Sequence, residues 1–313
     1  MFRFSVFYFS VLILFLTGFV YSGEPTKYWN VEKGASTMKI FSMPTEPRQA
    51  ALAGAGIASP RNAGEAMRNP LAGTAMNSPT LSFSRTELSN LVGANRISML
   101  AGSLFGDWHL TAGIESLNYE KIQGYTDDGL TADGLFFTAG TMAMQLGAAR
   151  TFNSMSAGLT ARYANQNIDD YNMSGILFDG GVKYNLQKHL AFGATFNNLG
   201  LIFSNAKEVA PLFVQAGVTT NCPLPLGFSG ALSTDLYKRN DSAEELRTGL
   251  EIMYKELFSL RFGYPFSKEE NSTLNAALSA GLAIKLDFVS IEYAYQNRSA
   301  LKANHIIGVN LYF

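Results

Sequence analysis

Few residues in this chain are of the types that carry chemistry. There are three histidines, His109, His189 and His305, and one cysteine, Cys222. A serine hydrolase needs an imidazole beside a hydroxyl and a third group to orient it. His305 follows Asn304 at the start of the last alternating stretch, but Ser290 falls at the far end of the stretch before it. His189 lies in an expected turn and His109 near a strand start, so all three read as rim residues. No catalytic residue follows, and the chain is read as a non-enzyme. Ligands this scattered do not make a metal site, no cofactor is implied, and one cysteine forms no internal disulfide. The Gly54-Ala-Gly56 pair resembles a phosphate loop only superficially. No buried strand precedes it and the rest of the fingerprint is missing.

The remaining chemistry is charge carried on one face of alternating stretches. Arg162, Asp179, Lys183, Asp235, Glu251, Arg261, Lys285 and Glu292 all fall on the polar face of such a stretch. These charges could line a binding or conduction path, or they could fill a lumen as salt bridges. The second use is expected, because charges removed from water need partners. Glu251 and Arg261 flank the tight connection at Lys255–Leu257 and should pair across adjacent strands.

The elements that carry these residues read as strands. Phe258, Leu260, Phe262 and Tyr264 oppose Ser259 and Arg261, and Val289, Ile291, Tyr293 and Tyr295 oppose Ser290, Glu292 and Gln296. Fourteen such stretches are expected from Thr80 on: 80–87, 95–105, 107–121, 133–149, 152–167, 174–186, 189–199, 211–221, 225–237, 246–255, 257–265, 274–286, 287–297 and 304–313. Their connections alternate between tight and long. Gln123–Ala132, Ile168–Met173, Gly200–Ala210, Lys238–Glu245 and Asn297–Ala303 belong to the long set. That asymmetry, with about 9–11 residues needed per tilted crossing, predicts an all-β, transmembrane antiparallel barrel. Short turns would face the periplasm, with both termini on that side. Tyr119, Tyr163, Tyr184, Tyr237, Tyr254 and Tyr312 would form aromatic girdles. Phe313 ends the last strand as a signal for the barrel-assembly machinery.

Composition agrees with this. Only 16% of residues are charged while 47% are hydrophobic, which suits a surface facing outer-membrane lipid, and a net charge of -1 excludes nucleic acid as a partner. Arg3 followed by apolar Phe4 to Val20 and then Tyr21-Ser22 reads as a signal peptide over residues 1–22. Residues 23–78 are read as a periplasmic N-terminal and hatch segment, and 79–313 as the barrel. Within the hatch, Pro47 to Gly73 is rich in Ala and Gly and shows no alternation. It is taken as a plug inside the barrel mouth rather than a linker. A short helix is expected over Asn62 to Met67, ending before Asn69-Pro70.

These residues resemble the PorV/PorQ family of outer-membrane proteins, which is similar to the fourteen-stranded FadL-type barrels with an N-terminal hatch. The resemblance is carried by Arg48-Gln-Ala-Ala-Leu-Ala-Gly54, with Gly56 just beyond, and by Asn69-Pro70-Leu-Ala-Gly73, where leucine replaces the family's alanine. Asp179-Gly-Gly-Val-Lys-Tyr184, Asn198-Leu-Gly200, Gly249-Leu-Glu251, Leu260-Arg-Phe-Gly-Tyr264 and Tyr293-Ala-Tyr295 follow in order. The region from Tyr119 to Gly134 is closer to the PorQ branch. The resemblance implies a docking or assembly component for protein secretion and surface attachment, of the type IX kind, with secretion cargo or surface-assembly proteins as partners. The alternative is a FadL-like transporter of hydrophobic small molecules. An apolar lumen near Phe41, Met43, Leu52, Ile57 and Met67 would favour the transporter, and a charge-filled lumen would favour docking.

Overall fold

The alternation decides which face of each strand is wet. In the computed structural model, Ser82 and Ser84 of the first strand each point inward at 1% exposure, while Leu81 and Phe83 point out. The same rule places Leu146, Leu159, Leu232 and Leu236 on the outside, each more than half exposed. An apolar exterior around a polar interior is the arrangement of a barrel standing in lipid, where every backbone group must be paired within the wall. The structure describes residue 29 and residues 31–88, 94–125, 131–267, 278–298 and 301–313. The expected signal peptide over 1–22 lies outside them.

The described strands are β1 (Thr80–Leu88), β2 (Ala94–Phe105), β3 (Trp108–Tyr119), β4 (Ile122–Tyr125), β5 (Thr131–Phe137), β6 (Ala139–Phe152), β7 (Met155–Ile168) and β8 (Tyr171–Gln187). They continue as β9 (Leu190–Phe203), β10 (Phe213–Pro223), β11 (Phe228–Arg239), β12 (Glu245–Tyr254), β13 (Phe258–Ser267), β14 (Ser279–Lys285), β15 (Val289–Arg298) and β16 (Leu301–Tyr312). Fourteen of them close an antiparallel barrel in which β1 pairs β16 and β3 pairs β6 directly.

β4 and β5 pair only with each other, as a separate two-stranded ribbon. The expected stretch 133–149 merges residues 133–137 of β5 into the wall, because ribbon and wall share the period of two, while most of β4 falls in the expected connection Gln123–Ala132. Two expected long connections are tight. β7 and β8 meet across Asp169 and Asp170, and β15 and β16 reach Arg298 and Leu301. The other connections on that rim include the β9–β10 and β11–β12 segments, so it is called the long-loop end. Tyr119, Tyr237 and Tyr312 do not join a girdle: Tyr119 packs against the lumen cluster that holds Leu117 and Phe41, Tyr312 meets the buried Ser290, and Tyr237 shares parity with Asp235 and is buried in the lumen at 2% exposure.

The hatch threads the lumen. Gly34 N–H donates to Asp241 O and Thr37 N–H to Val209 O at the long-loop end. The segment then descends through helix α1 (Pro47–Ala51) and 3-10 turns at Ala63–Met67 and Ala72–Ala75. Pro at the first helical position starts α1. The expected helix at Asn62 forms as a 3-10 turn with a capping box between Asn62 and Glu65. Phe313 N–H donates to Pro79 O at the short-turn end, so the last residue sits beside the start of β1. The first residues of the hatch to be described lie at the opposite rim.

Ala and Gly in the hatch meet Gly in the wall. A Cβ on Gly158 would collide with the Pro70 carbonyl, and one on Gly263 with the backbone of Leu52 and Ala53. Gly193 faces Ala58 and Gly281 faces Ala51 in the same way. Close packing around Asn69-Pro70 is therefore kept with leucine at position 71, which is fully buried. We predict that Gly263→Ala leaves strand pairing intact but lifts the hatch, costing about 1–3 kcal/mol as overpacking does. Limited proteolysis should then cut within 47–76 while the barrel resists. Gly230→Ala, whose Cβ would meet only ordinary contacts at 3.5 Å or more, should behave as the parent.

Candidate functional site

The lumen charges gather around the hatch. In the short-turn half, Glu251 of β12 accepts from three arginines. Arg48 of α1 donates to both its oxygens at 3.0–3.2 Å, Arg61 Nε donates at 2.8 Å and Arg261 Nε of β13 at 2.7 Å. Arg48 also donates to Glu65 at 3.2 Å, and Arg261 donates to Glu292. Asn62 and Asn310 donate to the other Glu292 oxygen at 3.3 and 3.2 Å. The expected Glu251–Arg261 pair is present. Sequence reading missed that its remaining partners come from the hatch. The signal available was that Arg48, Arg61 and Arg68 interrupt a stretch otherwise built of small residues.

Glu46 joins the same cluster without a matching cation. It is 2% exposed and its Oε2 has no hydrogen-bond partner. Burial, then the charges of Glu292 and Glu65, hold its carboxyl well above the usual carboxylate range. Four carboxylates thus meet the three guanidiniums of Arg48, Arg61 and Arg261, and this excess of negative charge favours the neutral form of Glu46.

Nearer the long-loop end stands a second network. Arg68 of the hatch donates to both oxygens of Glu115 at 2.8 and 2.9 Å, and Arg96 Nε donates to Glu115 at 2.5 Å. Arg162 donates to Asp179 at 2.9 Å, Asn198 at 2.8 Å, Gln145 at 3.1 Å and the Met67 carbonyl at 2.7 Å. Arg96 and Glu115 were legible on the polar faces of their stretches, but they were not singled out. Asp179 sits where the β8–β9 register shifts between Phe178 and Gly180, and it accepts from the Asn198 N–H at 2.7 Å. Asn198 takes a positive φ of 62° there.

The Gly54–Gly56 motif binds a side chain rather than a phosphate. Gly54 and Gly56 take positive φ of 81° and 96°, which glycine adopts without steric cost. The Gly56 and Ile57 N–H groups then both donate to Asp235 Oδ2, at 2.9 and 3.0 Å. Six of the eight expected lumen charges, Arg162, Asp179, Asp235, Glu251, Arg261 and Glu292, are buried inside the wall. Of the two others, Lys183 is half-buried and Lys285 is exposed at the short-turn rim, 3.9 Å from Glu256.

Apolar side chains divide the lumen in the same way. Met38, Ile40 and Phe41 pack with Leu117, Ala143, Ala164, Met173 and Leu177 of the wall in the long-loop half. Leu52 and Met67 are pressed on wall glycines instead. Between residues 42–44, 54–57 and the wall side chains Phe213, Gln215 and Arg247 lies a cavity of about 30 Å³. That volume holds a water or two, so the described hatch closes this crevice to anything larger. The histidines lie apart. His109 faces the hatch near Gly73, while His305 is on the outside against Tyr293 and Tyr295. Among the described residues no three His, Cys, Asp or Glu are placed to hold a metal.

Two predictions follow from the charge geometry. Glu251→Ala removes the acceptor shared by three guanidiniums, leaving Arg61 without a carboxylate, and should destabilise the closed hatch by roughly 3–5 kcal/mol, read as protease access to 47–76. Because the Glu46 carboxyl is raised when the hatch is docked, its contribution is full at low pH and fades as pH rises through that raised value. Glu46→Gln should therefore stabilise the docked hatch relative to the parent by an amount that grows at about 1.4 kcal/mol per pH unit from the ordinary carboxylate range up to the raised value and is constant above it, read from hatch proteolysis against pH.

No family model and no curated protein matches the sequence. Solved structures do match in fold. The Ralstonia pickettii toluene transporter TbuX superposes with a TM-score of 0.61 at 12% identity, covering 86% of this chain and 98% of its own. The CymD monoaromatic hydrocarbon channel gives 0.61 at 11% identity, over 89% and 99% of the two chains. The Pseudomonas putida toluene transporter TodX gives 0.58 at 11% identity, over 91% and 99%. At these identities the likeness is one of fold, and this chain has the fold of FadL-type outer-membrane barrels.

Proposed function

We propose that this protein is an outer-membrane channel for hydrophobic small molecules, closed at rest by its hatch. The observation that carries the reading is the apolar chamber of the long-loop half, filled by Met38, Ile40 and Phe41 of the hatch itself. A barrel serving only as an anchor has no need of an apolar chamber on its axis. The fold likeness to transporters and channels of toluene and other monoaromatic hydrocarbons supports the reading. Transport on this view begins when the hatch shifts and the chamber empties toward one end. Residues 1–22 would be removed on export, and the short turns would face the periplasm. Assembly would use the Phe313 end.

A second reading keeps the PorV/PorQ resemblance and its role in secretion docking. It is favoured by the charge-filled short-turn half, where Glu251 and Glu292 lock the hatch. The experiment compares a Gram-negative host, whose lipopolysaccharide slows hydrophobe entry, with and without this protein. Uptake of radiolabelled toluene should rise severalfold with the parent and further with Glu251→Ala. Unchanged uptake, together with a stoichiometric protein partner after gentle purification, would overturn transport and leave docking.

A further inference from the structure

We infer that the space filled by Phe41 is a binding subsite for a single aromatic ring, which the hatch occupies in the closed state. The inference rests on the transport reading and narrows it to a ligand class and a place. Phe41 is 0% exposed. The guanidinium carbons of Arg68 and Arg162 lie 5.6 and 5.1 Å from its ring centroid. Leu117, Ala143, Ala164 and Leu177 close the apolar side. Up to its bond with Cα, a phenylalanine side chain is toluene. The chamber therefore already accommodates a methyl-substituted ring in size and in polarity.

Both guanidiniums stay in place without the Phe41 segment. Arg162 is held by Asp179, Asn198 and Gln145 of the wall. Arg68 keeps Glu115 and the Met67 carbonyl even if its bonds to Ile40 and Met43 are lost. Two fixed cations against a vacated apolar pocket prefer a π face to a saturated ring of equal size, because only the former has a negative quadrupole. The segment that must leave has a strained entry, since Met38 takes a left-handed φ of 50°.

The test uses the full-length Phe41→Ala barrel in lipid nanodiscs, with toluene and methylcyclohexane as probes and headspace partitioning as readout. Empty nanodiscs and Phe41→Leu serve as controls. The expected result is saturable uptake of one toluene per barrel, with about tenfold preference over methylcyclohexane, and none in Phe41→Leu. Equal affinity for the two probes, or no saturable binding, overturns the subsite. Should Phe41→Ala fail to fold, hydrogen exchange in the parent decides. Toluene but not methylcyclohexane should speed exchange over residues 37–43, and no difference overturns the inference. Uptake by cells carrying the parent protein separates the two conclusions. Toluene uptake without aromatic preference defeats the subsite alone, whereas aromatic preference without uptake defeats transport alone.

Discussion

A charge inside this barrel must find its opposite, and the partners are divided between wall and hatch. Glu251 stands on β12, yet two of its three arginines, Arg48 and Arg61, belong to the hatch. Glu115 on β3 is likewise shared between Arg68 of the hatch and Arg96 of β2. Removing one partner from a dry site leaves an uncompensated ion, which costs far more than the pair itself contributes. Hatch and barrel are therefore a single electrostatic unit. The charged part of the hatch, from Arg48 to Arg68, cannot leave piecemeal. It moves only if water enters to solvate what it abandons.

The same constraint explains how the hatch is shaped. Carboxylates and guanidiniums reach across the lumen only if the backbone comes close to the wall, and the glycines at 158, 193, 263 and 281 permit that approach. Small residues and buried charge are two parts of one contact. The Gly54–Gly56 turn shows it most directly, since its positive φ values aim two N–H groups at Asp235. What could be mistaken for a phosphate loop is a socket for a carboxylate of the wall.

The lumen is thus unequal along its axis. Its short-turn half is latched by the Glu251 cluster, while beyond the Arg68–Glu115 and Arg162–Asp179 pairs its long-loop half holds an apolar chamber stoppered by side chains of residues 38–41. Dispersion and burial hold that stopper, together with a few hydrogen bonds such as those from Arg68 and Asn198 to the carbonyls of Ile40 and Phe41. Apolar contacts are non-directional, so a ligand of similar shape can replace them without leaving a buried polar group unpaired. The ion pairs admit no such replacement. A mobile stopper above a fixed latch is the division of labour that this chemistry favours.

The wall was legible in the sequence because a period of two is a local property. Leu260, Phe262 and Ile291 face lipid, and Arg261 and Glu292 face inward, simply by their places in the chain. The Glu251–Arg261 pair was legible for the same reason, being ten residues apart across one turn. The β4–β5 ribbon escaped because a strand leaving the wall keeps the alternation of a strand within it. Tertiary structure alone decided that Arg48 meets Glu251 and that Phe41 lies beneath Arg68 and Arg162. Those contacts join residues brought together by closing the barrel around a segment with no period of its own. Side-chain order within a strand fixes which way a residue points, but only the closed wall fixes what it meets there.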